Sequence, residues 1–143
     1  MAQITLAQAS TIVDGALQHG RDHGLQPLSV AVVDSGGHLL AFKRQDGPGA
    51  ALRPAIAFGK AFGAVGLGRS SRSIGEMAVE RPHFVASLVG ASDGKVIPVP
   101  GGVLARDEHG SIVGAVGVTG DTSDNDEAAA IAGVRAAGLA PEA

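Results

Sequence analysis

The chain has no cysteine, no tryptophan and no tyrosine, and its aromatic content is four phenylalanines in 143 residues. Without cysteine there is no disulfide, zinc–thiolate centre, iron–sulfur cluster or thiol nucleophile. Without tyrosine or tryptophan there is no phenolate ligand and no strong stacking platform for bases. An excess of positive charge is also missing: 11 Lys and Arg stand against 14 Asp and Glu, and the cations are scattered, so the electrostatic footprint of a nucleic-acid binder is not there. No run approaches the roughly 18 apolar residues of a membrane span, and Met1-Ala2-Gln3-Ile4 shows neither a basic nor an apolar leader region. The expectation is a cytoplasmic protein with neither nucleic acid nor membrane as partner.

What the chain does have is small residues. It holds 22 Gly and 25 Ala, and Val, with 15, leads the larger apolar types. Its length fits one domain spanning 1–143. A core of such small pieces is thin for a lone domain, which predicts that burial is shared between subunits of a homo-oligomer.

Thr5 and Gln8 have capping-box spacing, and Leu6, Ala9, Ile12, Val13, Ala16 and Leu17 recur at helical period, giving a first helix that stops at Gly24. Residues 28–34 and 38–44 read as a β-hairpin across Ser35-Gly36-Gly37. Residues 55–64 form a second helix, whose Gly and Ala surface allows close approach to a sheet or another subunit. Ser73 with Glu76 is a second capping-box candidate for a short helix to about Glu80, and Phe84–Val89 is read as another short helix. Residues 96–102 read as an extended edge segment containing Pro98 and Pro100. Residues 103–106 and 112–119 form a second hairpin, with Gly114 and Gly117 inviting close backbone approach. Ser123 is the expected N-cap of a last helix ending near Gly138. Hairpin-linked strands make the class α+β, an antiparallel sheet with helices on its faces.

Four segments in this order resemble one known family: Val33-Asp34-Ser35-Gly36-Gly37-His38-Leu39-Leu40 to Asp46-Gly47; Ala57-Phe58-Gly59-Lys60-Ala61; Pro98-Val99-Pro100-Gly101-Gly102; and Gly114-Ala115-Val116-Gly117-Val118-Thr119-Gly120 leading into Asp124-Asn125-Asp126-Glu127. Together they resemble the GlcG/HbpS-like family, the haem-degrading domain family that includes the C-terminal domain of PduO-type proteins. The resemblance runs from about residue 5 to 138. It implies a five-stranded antiparallel sheet flanked by helices, profilin-like in outline, and a higher oligomer. It also implies a function drawn from a mixed set: some members bind haem, some are linked to its degradation, and others accompany catabolic genes. Secreted haem-binding members carry an export signal that this chain is not expected to have.

His19 and His23 stand at i, i+4 near the end of the first helix, and His19 continues the apolar stripe seven residues after Ile12. A haem-binding member of the family is similar here, so the resemblance implies His19 as an iron ligand; neutral imidazole is a sound axial ligand. The bland alternative is a half-buried, hydrogen-bonded His19 and a solvated His23 at the helix end. Lys60, between small residues, could meet a small carboxylate or a haem propionate, act as a base if desolvated, or simply form a salt bridge to Asp34. Asp34 itself suits an Asx turn. Glu76, Glu80, Arg81 and His83 mix acid, base and imidazole, so Lys60, Glu76 and His83 are the candidates for acid–base catalysis. The amides of Gly101 and Gly102 could grip an anion, or belong to a bulged edge. Asp121, Asp124 and Asp126 are explained by helix capping.

Two functions follow. The first is a small-molecule-binding protein accessory to a catabolic pathway, with haem or another tetrapyrrole as its ligand through His19. The second is a small cofactor-free isomerase, tautomerase or hydrolase acting on a carbonyl or hydroxy-acid metabolite.

Overall fold

The computed structural model describes residues 3–143; Met1 and Ala2, half of the leader reading, lie outside the described residues. In chain order the elements are α1 (Leu6–Asp22), β1 (Ser29–Asp34), β2 (Leu39–Arg44), α2 (Arg53–Leu67), α3 (Ser71–Glu80), α4 (Pro82–Ala91), β3 (Gly102–Arg106), β4 (Ile112–Thr119), α5 (Ser123–Ala136) and β5 (Ala140–Glu142). The five strands form one antiparallel sheet in the order β2-β1-β4-β3-β5. The α+β class and the five-stranded antiparallel sheet are therefore as expected. No helix among the described residues is long and apolar enough to cross a membrane.

Local chemistry accounts for most boundaries. The Thr5 and Gln8 side chains and backbones bond reciprocally, each at 3.0 Å, so the capping box starts α1 as the spacing predicts. α2 runs longer than 55–64 and stops where Gly68 takes a left-handed φ of 66°. Two caps differ from expectation. α3 starts from Ser70, whose Oγ accepts from the Ser73 amide at 3.2 Å, and α5 starts from Thr122, whose Oγ1 accepts from the Asn125 amide at 3.2 Å. In both cases the hydroxyl one to three residues earlier reaches the orphan amide first.

The fifth strand also differs. Residues 96–99 are not a strand, because Pro98 and Pro100 withhold ladder donors and the Val99 amide turns back onto Ile97 O at 3.0 Å. The fifth strand is instead Ala140–Glu142, which pairs with β3 after the last helix and is pinned by Arg106 Nε to Glu142 Oε1 at 2.7 Å. Three residues without alternation gave no pattern to read.

Helices cover both faces, which is why β1 is buried almost throughout. On one face Val30, Val32, Val103, Val116 and Val118 pack against Ile12, Val13 and Ala16 of α1 and Ala129, Ala130 and Val134 of α5. On the other, Val33, Leu104 and Ala115 pack against Ala61 and Ala64 of α2. A smaller cluster of Ile74, Val85 and Val96 joins α3 and α4. The small residues are used inside the chain: a Cβ at Gly117 would overlap the carbonyl of Ala57, and one at Gly133 would overlap the carbonyl of Ile12. Of the two expected uses of the α2 surface, the sheet takes it.

Candidate functional site

At the end of the sheet where β4 runs out, Lys60 passes from α2 to the opposite layer. Its ammonium donates to Val118 O at 2.9 Å and to Asp126 Oδ2 at 3.3 Å, with both side chains 2% exposed. Asp126 Oδ1 accepts from the Asp121 amide at 2.9 Å, and the carboxylate sits in the first turn of α5, where the helix dipole favours it. Burial pulls the Lys60 ammonium below its ordinary range and pushes the Asp126 carboxyl above its own; the charge of each partner opposes the other's shift. The salt bridge open to Lys60 thus forms with Asp126 and not Asp34. The Asp34 carboxylate instead accepts from the amides of Gly36 and His38 at 2.9 and 3.0 Å, the expected Asx turn.

Gly101 and Gly102 make room for this arrangement. A Cβ at Gly101 would stand 2.8 Å from Lys60 Nζ, and one at Gly102 would overlap Lys60 O. The Gly102 amide donates to the buried Ser71 Oγ at 2.6 Å, so it is taken internally and not offered to an anion. Arg72 of α3 adds a second tie to the same turn of α5, bonding Glu127 Oε2 through Nε at 2.9 Å and also meeting Asp124. Capping alone therefore does not explain Asp124 and Asp126. The partner of Lys60 was hidden in the sequence because Asp126 doubles as an ordinary first-turn acid.

His19 and His23 lie at the same end of the sheet, His19 in the last turn of α1 and His23 as its C-cap. This end is joined to the start of α5 by the Gln26 amide donating to Asp121 Oδ1 at 2.8 Å. The two rings stack with centroids 4.0 Å apart and planes 19° from parallel. His19 is half-buried and His23 exposed. Burial, and then the charge of His23, hold the His19 pKa below its ordinary value, so its imidazole is neutral at pH 7. His23 Nδ1 lies 2.9 Å from the carbonyl oxygen of His19, which can only accept, so Nδ1 carries a proton and donates it. Parallel rings do not converge on one point, so the pair is not a chelate.

The remaining candidates stand apart. Glu76 is exposed on α3 in a hollow of about 300 Å³ with Arg69, Ser73, Met77, Glu80 and Arg81. His83 is exposed at the start of α4. The structure brings Lys60, Gly101 and Gly102 together but joins neither Glu76 nor His83 to them. Among the described residues no three His, Asp or Glu side chains are grouped to hold a metal ion.

Proteins of this class, with one antiparallel sheet covered on both faces, are represented among solved structures. The PduOC–haem complex superposes with a TM-score of 0.86 over 99% of this chain and 100% of that one at 18% identity, which speaks for the fold alone. A double mutant of Streptomyces reticuli HbpS matches at 27% identity and a TM-score of 0.80, over 94% of this chain and 87% of that one. Klebsiella pneumoniae ORFY matches at 24% identity and a TM-score of 0.85, over 96% and 92%. The family model described as haem degrading protein HbpS-like matches residues 4–135, and the chain belongs to that HbpS-like family. No curated protein matches it.

Proposed function

We propose that this protein is a haem-binding member of the HbpS-like family in which His19 supplies an axial nitrogen. One observation carries the reading: a neutral, half-buried imidazole, with no ring-nitrogen partner among the described residues, stands where no other side chain can complete an ion site. That donor suits a metal whose macrocycle provides the remaining nitrogens. The haem complex of the structurally similar PduOC and the family description support the same choice.

When bound, haem supplies the iron and its in-plane nitrogens. The chain's own part is to keep the His19 ring neutral through burial, and to steady it against His23, whose orientation is set by its bond to the His19 carbonyl. His19 does not line any of four surface hollows of about 300–410 Å³ among the described residues. A haem on His19 would lie on the surface of one chain, and a homo-oligomer would cover its second face. Lys60 is committed to Asp126, so it is a structural residue in this reading and not a propionate partner. The acid–base alternative gains no support from the separate positions of Lys60, Glu76 and His83.

Haemin titration followed by absorption tests the assignment. Saturable binding with a shifted Soret band, lost in His19→Ala and kept in His23→Ala, is expected. A shift kept in His19→Ala but lost in His23→Ala transfers the role to His23, and no saturable shift in the parent protein overturns haem binding.

A further inference from the structure

A hollow of about 410 Å³ lies between the end of α1 and the end of β2, lined by Arg21, Leu25, Pro27, Arg44, Gln45 and Asp46. Its charges are uncommitted: among the described residues Arg21, Arg44 and Asp46 make no ion pair. Arg21 spends one donor on Gln18 Oε1, at 2.9 Å, and keeps the others. Two guanidiniums beside one carboxylate leave the hollow with a net positive charge, which suits a monoanion.

Its polar wall is held in place by the backbone. The Gln45 amide donates to Leu28 O at 2.9 Å, and Gln45 Oε1 accepts from the Leu28 amide at 2.7 Å. Because the Leu28 amide is a donor, the side-chain atom it meets is the oxygen, and Nε2 with its two donors is left for another partner. An anchor already fixed in this way costs little ordering when a ligand arrives. Gly47 follows with a φ of 130°, and a Cβ there would stand 2.9 Å from Pro27 Cγ, so the chain after Asp46 lies directly on Pro27.

The donor set selects the ligand. A guanidinium fork matches the two oxygens of a carboxylate, and Leu25 and Pro27 offer apolar contact to a short carbon chain. The Asp46 carboxylate only accepts, so it selects against a second negative charge and for a hydroxyl or ammonium. We infer that this hollow binds a small monocarboxylate with a hydroxyl or ammonium group on the adjacent carbon. Arg21, Arg44 and Gln45 Nε2 hold its carboxylate, and Asp46 accepts from the second group. His19 lines no part of the hollow, so the inference stands or falls apart from haem binding.

Titration of the haem-free protein with L-lactate, L-alanine, propionate and inorganic phosphate, followed by the backbone amide NMR shifts of Gln45, Asp46 and Gly47, tests it. Lactate or alanine is expected to bind saturably with a Kd of about 10 mM or tighter, and propionate and phosphate about tenfold more weakly or worse. Arg21→Gln and Arg44→Gln should each weaken binding by about tenfold or more, and Asp46→Ala should erase the preference over propionate. All three side chains are exposed, so these replacements leave folding intact, which far-UV circular dichroism checks. The proposal is overturned if neither lactate nor alanine gives a saturable shift, or if the arginine variants bind like the parent. It is overturned equally if propionate or phosphate binds the parent as tightly, or if Asp46→Ala keeps the preference.

Discussion

Lys60 and Asp126 are joined across the end of the sheet, 3.3 Å apart and both 2% exposed, so a helix on one face is tied to the first turn of a helix on the other. A buried pair of this kind adds little over a matched apolar pair, but removing one partner strands the other charge. Lys60→Met is therefore expected to cost about 3–5 kcal/mol, and Lys60→Met with Asp126→Leu distinctly less than the sum of the singles. Urea unfolding of the four proteins measures the cycle. Additive losses would show that the two residues act independently.

Glycine at 102 is required by space and not by flexibility. A Cβ there overlaps Lys60 O and stands 2.7 Å from Ser71 Oγ, both inside the packed layer. Gly102→Ala should cost about 2 kcal/mol or more through forced displacement of α2. Gly66→Ala is the control: nothing lies within 4 Å of its Cβ, and the helix gains up to about 1 kcal/mol. If thermal melts place the two variants together, the tight contact at Gly102 is not real.

The glycine comparison shows which features could be read from the sequence. α1, both hairpins and the α+β class follow from local signals: a reciprocal cap at Thr5, a short β-branched run in residues 28–34, and turns at Gly37 and Gly110. Gly114 and Gly117 flagged a close neighbour, and Val33 and Ala57 carbonyls fill that place. Features set by partners far along the chain were not legible. Nothing near Lys60 names Asp126, which lies 66 residues away and resembles any acid in a first helical turn. β5 is three residues whose strand character comes wholly from β3. For the site, the neighbours in sequence placed His19 and His23 on one side of α1, but their stacking and the neutrality of His19 depend on burial that only packing creates.

That burial makes a prediction about pH. The folded-state pKa of His19 is depressed below its ordinary value, chiefly by burial. Its contribution to stability is thus fully present above the unfolded value of about 6.5 and is lost as pH falls through the lower folded value. The parent protein should lose stability between about pH 7 and 5 more steeply than His19→Gln, which has no proton to bind. Urea midpoints at the two pH values compare the slopes. Parallel slopes for the two proteins would place His19 in a solvent-like setting and remove the basis for its neutrality. Haemin affinity should follow the same direction, falling as protons compete for the ring nitrogen.

Asp121 sets a second, more acidic limb. Its carboxylate accepts from the Gln26 amide at 2.8 Å, the Thr122 amide at 2.8 Å and Asn125 Nδ2 at 2.7 Å, and these bonds hold its pKa below the ordinary carboxylate value. A depressed carboxylate contributes stability that is complete above the unfolded pKa of about 3.9 and disappears as pH falls through the folded one. Asp121→Asn keeps the shape but gives up the charge, so it should lose about 1 kcal/mol or less at pH 7, given the site's partial exposure. It should also flatten the acid limb between about pH 4 and 2 relative to the parent. The Gln26 bond links the end of α1 to the start of α5, so amide exchange at Gln26 and Leu28 should quicken in this variant while the centre of β4 stays protected. Unchanged exchange at Gln26 would mean that the Asp121 bond does not hold the two helix ends together.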